Sequence, residues 1–483
     1  MSSPVLVTKT IIKSAPKTSP LLMAKRAFPF IMAAAIWFAP VPAGLTPQAW
    51  HLFAVFITAI VSVLLGIYPL LTSTMLAAGA VVLTNTISAS KAFSGFANSS
   101  VLLVVIAFLV AQAVVKSGLG RRISLFMVGL FGRSSLGLAY SLVLTDAAIA
   151  PAFPSNTARG GVLYPIVLSV AQGSGSRPED PEGRRLGGYL MFCSMASLAV
   201  SSALWMTATS ANPVAIQVAE QYGVKVNFGG WLIASSVPAL ISIAVLPWLI
   251  ARLFPPRAKS TPEAPAAARK ALAELGPLSR EEWITAIAFV LMLSGWIFAD
   301  KLQINITSVA FAGLGLLLMT GVLTANDIAT QGDTLATFLW LAVLFALSGD
   351  LNELGFMGYV GQHLASYMGG LSWQMTYVAL ILLYVAIHYM FVSQSSQVLA
   401  LLGVFLDVGI RGGVPAKLMA FSLFFASSYF SVITPQGGSQ NVIFVGSGYL
   451  TQRELYRLGL LTTLFFALVF LTVGTGWLLL VAR

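Results

Sequence analysis

Two short polar segments interrupt long apolar stretches of this sequence. The first tip, Pro154–Gly161, reads PSNTARGG, and the second tip, Phe391–Gln397, reads FVSQSSQ. Each combines small hydroxyl side chains with a carboxamide, and neither contains a carboxylate. A helix that restarts after such a segment offers free backbone N–H groups and the positive end of its dipole, which favour an anion. Two such tips facing each other suit a small dianion with a carboxylate at each end.

A second pair of interruptions follows the tips. The first break, Thr207–Pro213, reads TATSANP, and the second break, Thr434–Asn441, reads TPQGGSQN. Small residues and proline also serve packing and kinks in membrane helices, so a single interruption has a purely structural explanation. Discontinuous helices at matching positions in two halves of a chain are instead typical of a substrate site. The matched set of tips and breaks therefore favours a binding site.

Arg159 is the most informative single residue of the first tip. An arginine at membrane depth costs at least about 2.5 kcal/mol to insert and indicates a functional site. One interpretation is a fixed charge for the substrate or in place of a cation; the other is a structural ion pair with Asp146. Counted along helices, Asp146 lies roughly 13 Å and Arg159 roughly 6 Å from the tip. This mismatch in depth favours the functional interpretation.

The elements that position these residues are membrane helices. The chain has 483 residues, of which 57% are hydrophobic and 9% charged, against roughly 25% charged in soluble domains. We predict an all-α polytopic membrane protein with re-entrant hairpins at 137–172 and 374–410. Apolar runs of spanning length predict eleven transmembrane segments near 28–45, 50–70, 73–90, 98–116, 187–222, 230–251, 282–299, 304–323, 332–350, 415–450 and 455–480.

The polar stretches divide the chain into two similar halves. We predict a cytoplasmic tail (1–27), a first half (28–252), a cytoplasmic linker (253–281) and a second half (282–483). Amphipathic stretches at 119–132 and 356–369 are expected to lie along the membrane interface. Gly118 precedes Ser155 by 37 residues and Gly355 precedes Ser393 by 38, which indicates an inverted repeat with the site at the repeat interface.

The distribution of positive charge gives an orientation. With the N-terminus inside, the cytoplasmic segments hold 20 of the 27 Lys and Arg residues, as the positive-inside rule requires. The net charge of +11 therefore reflects membrane topology rather than nucleic-acid binding. A basic N-terminus is also typical of a transit peptide, but we favour a cytoplasmic tail and a cell (inner) membrane location, with the lipid bilayer as a partner.

The sequence does not support several other functional classes of protein. No GxxxxGK[ST] phosphate loop is present, and His51, His363 and His388 lack metal-ligand spacing. We therefore predict no cofactor and no metal ligand. Cys193 is the single cysteine and cannot form an internal disulfide. A membrane-embedded receptor or enzyme is the alternative class, but no catalytic set shares a common depth, so we predict that the chain is not an enzyme.

The tips and the stretch after the second break resemble a known family. Ser155–Gly161 (SNTARGG) is similar to the first signature of the divalent anion:sodium symporter family, His388–Ser395 (HYMFVSQS) to the second, and Asn441–Tyr449 (NVIFVGSGY) to the stretch that follows the second break. The resemblance covers roughly residues 28–480 and is strongest to 2-oxoglutarate/malate translocators and citrate- or tartrate-succinate antiporters.

The resemblance implies a homodimeric elevator-type transporter of small dianionic carboxylates. It also implies which residues bind the substrate. With Arg159 included from the charge argument above, the residues predicted to bind the substrate are Ser155, Asn156, Thr157, Arg159, Thr207, Thr209, Asn212, Ser393, Gln394, Ser395, Thr434 and Pro435.

The sequence departs from the sodium-coupled members of that family. Those members tend to have a serine four residues before each tip serine, where Pro151 and Tyr389 stand here. Arg159 also places a fixed positive charge near where one sodium would sit. The sequence departs from the exchanger branch as well, which often has a histidine at the position of Gln397, so the second half lacks that fixed charge. Pro151, Tyr389 and Arg159 are the residues that decide our expectation of the coupling. We therefore expect a sodium-independent antiporter of malate, 2-oxoglutarate, succinate or tartrate, and the alternative is a sodium-coupled symporter of the same acids.

Overall fold

The structure is a computed structural model that describes residues 20–367, 370–391 and 393–482. Predictions that fall on residues 1–19, Met368, Gly369 and Val392, which belong to the tail, an interface stretch and the second tip, lie outside the described residues. All regular structure in the first half is helical: α1 (Pro20–Trp37), α2 (Pro47–Leu64), α3 (Leu70–Leu83), α4 (Ala89–Ala92), α5 (Ser99–Ser117), α6 (Leu119–Phe131), α7 (Ser135–Ile149), α8 (Asn156–Gly173), α9 (Arg184–Leu204), α10 (Ala211–Glu220) and α11 (Phe228–Leu253).

The linker and the second half continue with helices. They are α12 (Glu263–Leu275), α13 (Arg280–Ile297), α14 (Ala299–Leu302), α15 (Ile306–Met319), α16 (Ala325–Ala329), α17 (Gly332–Glu353), α18 (Phe356–Tyr367), α19 (Trp373–His388), α20 (Gln394–Gln397), α21 (Gly403–Arg411), α22 (Ala416–Tyr429), α23 (Asn441–Val445), α24 (Gln452–Val469) and α25 (Thr475–Val481). One-turn π-helices join α20 to α21 (Val398–Leu402) and α24 to α25 (Phe470–Gly474).

Capping side chains explain where many of these helices begin. Asn98 accepts hydrogen bonds from the N–H groups of Ser100 and Val101 at the start of α5, and Asn305 does the same for Thr307 and Ser308 at the start of α15. Side chains of this type satisfy donors that the first turn of a helix leaves free. Within a bilayer no water accepts hydrogen bonds from these N–H groups, so the capping side chains determine where the helices begin.

Seven helical stretches of the described residues are long and apolar enough to cross a membrane. They are Pro47–Leu64, Ser99–Ser117, Ser135–Ala152, Arg184–Leu204, Phe228–Leu253, Gly332–Glu353 and Gln452–Val481. Other predicted spans contain shorter helices, such as α3 and α15 with 14 residues each, so the count of eleven stays a prediction. The core centres on α9, whose residues from Leu186 to Leu204 are all buried and which packs against α7, α8, α11 and α22.

One boundary differs from the predictions, and the linker contains a helix. The first span was expected at 28–45, but α1 ends at Trp37, because Pro40 and Pro42 follow and disfavour helical conformation. The linker contains α12, which packs against α6. Thr261 Oγ1 donates to the carbonyl of Gly132 at 2.8 Å, so this polar segment is docked onto the membrane domain.

Ion pairs tie the two halves together at the helix ends. Lys116 at the end of α5 pairs with Asp327 of α16 at 2.7 Å, and this hydrogen bond lowers the pKa of Asp327 to about 2. Arg184 at the start of α9 pairs with Glu454 at 2.9 Å. The second pair fixes the start of α9, the helix that leads into the first break.

Candidate functional site

Each tip begins a helix with a serine cap. The hydroxyl of Ser155 accepts the N–H of Ala158 at 3.2 Å, and the hydroxyl of Ser393 accepts the N–H of Ser396 at 3.4 Å. Because the serine oxygen is used as an acceptor, its O–H hydrogen remains available to a ligand. The matched caps show that the two tips share one local design.

The tips and breaks meet one another through side-chain hydrogen bonds. Asn156 Nδ2 donates to Gln394 Oε1 at 3.3 Å, which joins the two tips. Ser210 and Ser395 hydroxyls lie 2.9 Å apart and join the first break to the second tip. Thr157 and Ser439 hydroxyls lie 2.5 Å apart and join the first tip to the second break. All four interrupted segments therefore converge on one place.

The two breaks are held open by equivalent asparagines. Asn212 Nδ2 donates to the carbonyls of Ser202 (2.8 Å) and Trp205 (3.1 Å). Asn441 Nδ2 donates to the carbonyls of Ser431 (2.6 Å) and Thr434 (2.9 Å). In both cases the acceptors lie ten and seven residues earlier in the chain. These asparagines satisfy carbonyls that the interrupted helices leave without partners.

A cavity of about 340 Å³ lies where the four segments converge. One wall is apolar and comes from α2, α3 and α5. The tips and breaks form the rest of the lining, which is mostly polar, and none of the described lining residues carries a charge. The apolar wall comprises Ile60, Val63, Leu64, Leu70 and Phe108, and the tips and breaks contribute Pro154, Ser155, Asn156, Thr157, Thr209, Ser210, Phe391, Ser393, Gln394, Ser395, Ser396, Gly438, Ser439 and Gln440.

Several groups in this cavity are buried without a partner. Among the described residues, Gln394 Nε2, Gln440 Nε2 and Ser396 Oγ have no hydrogen-bond partner. Buried polar groups of folded proteins are nearly always paired. Two amide groups and a hydroxyl without a protein partner, all on residues that line one cavity, are suited to a ligand that accepts hydrogen bonds, as a carboxylate does.

The cavity contains only part of the predicted binding set. Ser155, Asn156, Thr157, Thr209, Ser393, Gln394 and Ser395 line it, whereas Arg159, Thr207, Asn212, Thr434 and Pro435 do not. Thr207 instead donates to the carbonyl of Pro151 at 2.8 Å. Sequence analysis missed Ser210, Ser396, Ser439 and Gln440. Aligning Asn212 with Asn441 places Ser210 opposite Ser439 and is the signal that could have found that pair.

Arg159 has the structural partner that the sequence analysis considered and disfavoured. Its Nε lies 2.9 Å from Asp146 Oδ1, and both side chains are 0% exposed. Asp146 also accepts the hydroxyls of Ser197 (2.6 Å) and Ser201 (2.7 Å). The expected depth mismatch is wrong because it counted helical rise up to the tip, whereas the structure has a 3₁₀ turn at Ala150–Ala152 and extended residues after it.

The Arg159 guanidinium acts on the cavity through Asn156. Its Nη2 donates to Asn156 Oδ1 at 2.9 Å, and Ser202 donates to the same oxygen at 2.6 Å. With its oxygen occupied, the Asn156 carboxamide presents its N–H₂ group to the cavity side, where Gln394 lies. The ion pair thus orients one donor of the tip.

The described residues contain no group of three or more His, Cys, Asp and Glu side chains that could hold a metal ion. The cavity offers a set of hydrogen-bond donors that faces an apolar wall. It can bind and enclose an anion, and the described residues that line it include no nucleophile paired with a base.

Comparison with known proteins places this arrangement in a family. Residues 21–482 match the family described as the sodium:sulfate symporter transmembrane region. The chain is 36% identical over 444 residues to the putative malate transporter YflS of Bacillus subtilis, covering 92% of this chain and 93% of the relative. It is 36% identical over 443 residues to the chloroplastic dicarboxylate transporter 2 of Spinacia oleracea, covering 91% and 78%.

More distant structures share the fold. The YdaH transporter of Alcanivorax borkumensis matches with a TM-score of 0.57 at 17% identity, covering 95% of this chain and 97% of that one. MtrF of Neisseria gonorrhoeae matches with a TM-score of 0.55 at 16% identity, covering 96% of each chain. The all-helical, multi-span membrane fold is thereby confirmed. The family match also confirms the resemblance and excludes the enzyme alternative: this chain belongs to the divalent anion:sodium symporter family of membrane transporters, defined by the sodium:sulfate symporter transmembrane region.

Proposed function

We propose that this protein is a sodium-independent antiporter that exchanges small dicarboxylates such as malate, 2-oxoglutarate, succinate or tartrate. The observation that carries the proposal is the cavity between the tips, whose described lining residues include donors without a protein partner and no charged side chain. The names of the relatives from Bacillus subtilis and Spinacia oleracea, a malate and a dicarboxylate transporter, agree with this substrate class.

Exchange is supported by the cost of moving an empty site. Gln394, Ser396 and Gln440 each have a buried side-chain group without a hydrogen-bond partner among the described residues, and a buried group that moves without a partner costs about 1–3 kcal/mol. A bound dicarboxylate satisfies them. The tips and breaks therefore move past the apolar wall more readily with a dicarboxylate bound than without one. A transporter whose site moves only with substrate bound is an exchanger. Because Asp146 neutralises Arg159, this barrier does not depend on a free charge at Arg159.

Sodium independence is supported by the residues behind each tip. Pro151 offers no hydroxyl, and the Tyr389 hydroxyl already donates to the carbonyl of Phe430. One observation favours the alternative, a sodium-coupled symporter. Asn212 Oδ1 and Asn441 Oδ1 are buried acceptors without a hydrogen-bond partner among the described residues, and carbonyl-type oxygens are ligands that hard cations prefer.

The cavity walls support an elevator-type movement. The tips and breaks form a polar unit, whereas the α2, α3 and α5 wall is apolar and holds the polar unit with few directional bonds. We further propose that α7–α8 and α19–α21 are re-entrant hairpins, that the chain forms a homodimer, and that it lies in the cell (inner) membrane with its N-terminus in the cytoplasm. An inner membrane protein of Escherichia coli, YbhI, is 32% identical over 454 residues.

Counterflow in proteoliposomes tests the transport mode. Vesicles preloaded with malate should take up labelled malate equally well in sodium and in choline buffers, and empty vesicles should take up little in either. Sodium-dependent uptake into empty vesicles would establish the symporter instead. Absence of counterflow with all four acids, in protein that remains folded, would reject dicarboxylates as the substrate class.

A further inference from the structure

Gln440 is a buried carboxamide of the cavity that belongs to neither tip. It lies in the second break and is 1% exposed, and its Nε2 has no hydrogen-bond partner among the described residues. The other two cavity residues with such a group, Gln394 and Ser396, stand in the second tip. Pairing one carboxylate of the substrate with each tip therefore leaves Gln440 without an assigned partner.

The two ends of the cavity are built alike, because each tip contacts the break of the other half. The hydroxyls of Thr157, in the first tip, and Ser439, in the second break, lie 2.5 Å apart. The hydroxyls of Ser395, in the second tip, and Ser210, in the first break, lie 2.9 Å apart. Two equivalent ends of this kind suit the two carboxylates of a dianion.

The breaks themselves are not equivalent. The alignment of the two breaks places Gln440 opposite Ala211 and Gly438 opposite Thr209. Ala211 is fully buried, and its methyl side chain neither donates nor accepts a hydrogen bond. At this position only the second break adds a polar side chain, so the cavity has a feature that distinguishes its two ends.

Close contacts with two glycines place Gln440 at the end of the first tip. A Cβ on Gly438 would lie 2.5 Å from Gln440 Nε2, and a Cβ on Gly160 would lie 3.3 Å from Gln440 Cβ. Gly160 belongs to α8, the helix that starts at the first tip. The carboxamide therefore lies against the backbone of Gly438, in space that a side chain like that of Thr209 would fill.

A carboxamide at this place suits a neutral oxygen of the substrate. It can donate and accept hydrogen bonds, so it can bind either a hydroxyl or a keto oxygen. Malate and 2-oxoglutarate carry such an oxygen on carbon 2, next to one carboxylate, whereas succinate has none. When that carboxylate is at the first tip, the oxygen on carbon 2 lies beside the break that packs against this tip.

We propose that Gln440 is a specificity-determining residue that binds the oxygen on carbon 2 of a 2-hydroxy or 2-oxo dicarboxylate and directs that end of the substrate to the first tip. The inference rests on the proposed function, because it needs a dicarboxylate in the cavity. An unsubstituted acid such as succinate satisfies both tips but leaves the Gln440 amide buried without a partner, which weakens its binding.

Binding of matched pairs of acids tests this role. Calorimetry on the purified full-length protein compares L-malate with succinate, and 2-oxoglutarate with glutarate, because the acids of each pair differ only at carbon 2. A buried polar group without a partner weakens binding by about 5- to 150-fold, so we expect the substituted acid of each pair to bind more tightly by a factor in this range. Gln440→Ala, which copies Ala211, should remove most of this preference. Gln374→Ala, at an exposed glutamine of α19, should leave it unchanged.

Two further variants separate recognition of carbon 2 from binding of the carboxylates. Gln440→Met keeps a side chain of similar size against Gly160 and Gly438 and should also remove the preference, which covers the case that Gln440→Ala does not fold. Asn156→Ala should weaken both acids of a pair by a similar factor, because it removes a donor to a carboxylate.

The comparison within the wild type needs no variant. Equal affinities for the two acids of each pair would overturn the inference. It would also be overturned by Gln440 variants that keep the preference, or that weaken both acids of a pair equally, since Gln440 would then serve a carboxylate. Failure of the wild type to bind any dicarboxylate would instead overturn the proposed function.

Discussion

At the scale of single residues, the proposed site separates a residue that binds substrate from a residue that positions it. Asn156 presents its amide donors to the cavity because its oxygen is held by Arg159 and Ser202. Arg159 itself is fully buried behind the tip. A charge that looks functional in the sequence thus acts through a neutral neighbour, and the two roles predict different mutational outcomes.

Removal of the Asn156 donor should weaken substrate binding. Asn156→Ala deletes a hydrogen bond to a charged carboxylate, which is worth about 1.5–3 kcal/mol, or about 10- to 150-fold in Kd. Malate calorimetry on the purified variant measures the change. Asn326→Ala, at an exposed asparagine of α16, is the matched control. An unchanged Kd for Asn156→Ala would remove this residue from the site.

A double-mutant cycle should show that Arg159 is a positioning residue. Arg159→Gln leaves Asp146 buried without its partner, and breaking a buried ion pair typically costs about 3–5 kcal/mol. Thermal unfolding in detergent should therefore show a large loss of stability for Arg159→Gln and for Asp146→Asn.

The double variant, Asp146→Asn with Arg159→Gln, removes both charges and should recover most of the lost stability. It should also retain measurable malate binding, because the Asn156 donors remain. A stable double variant without any binding would show that the guanidinium charge itself holds the substrate.

At the scale of elements, the sequence predicts where the helices are interrupted. It does not predict which side chains and helices pack against the interrupted segments. The tips and breaks were visible because polar residues stand out in apolar runs. The Arg159–Asp146 pair was considered but disfavoured, because it depends on six residues, 150–155, that leave the α-helix between α7 and α8. The contribution of α2, α3 and α5 to the cavity was missed because residues that face an apolar cavity wall have the same composition as residues that face lipid.

The second break also depends on a small residue in a later helix. A Cβ on Gly459 of α24 would lie 2.4 Å from the carbonyl oxygen of Val432 and 2.6 Å from Ile433 Cα. This backbone leads directly into the second break, so Gly459 lets the break pack closely against α24. No sequence pattern predicts this contact, because it joins segments that are distant in the chain.

Gly459→Ala should destabilise the protein and weaken malate binding together. Overpacking of this kind costs about 1–3 kcal/mol, and here the clash is with backbone that has to move. Gly476→Ala in α25 is the control, because a Cβ there meets nothing within 4 Å and alanine favours a helix by about 0.5–1 kcal/mol. Gly459→Ala should lower the melting temperature and raise the malate Kd, whereas Gly476→Ala should do neither. Equal behaviour of both would contradict the close packing of the second break.

At the scale of the whole molecule, two groups of helices meet across the cavity. α10 packs against the second-tip segment and α22, whereas α5 packs against α15 and α17. Where the two groups touch, Asn98 at the start of α5 donates to Gln217 of α10. If the polar unit moves past the apolar wall, this contact has to break in every transport cycle.

A crosslink between Asn98 and Gln217 should therefore stop transport while leaving binding intact. Both positions are changed to cysteine in a Cys193→Ser background, and a short bifunctional thiol reagent joins them; Cys193 itself is fully buried. Malate counterflow should fall to background after the reaction, and malate should still bind with a similar Kd.

The control crosslink joins two helices of the same group. Ser99 and Thr307 are neighbours of α5 and α15 whose hydroxyls lie 2.8 Å apart, so joining cysteines at these positions should leave counterflow unchanged. Because Ser99 follows Asn98 directly in the chain, the two crosslinks start from almost the same point and differ only in the group that they reach. Full counterflow in the Asn98–Gln217 crosslinked protein would mean that α5 and α10 stay together throughout the cycle, and an elevator movement along the apolar wall would then be ruled out.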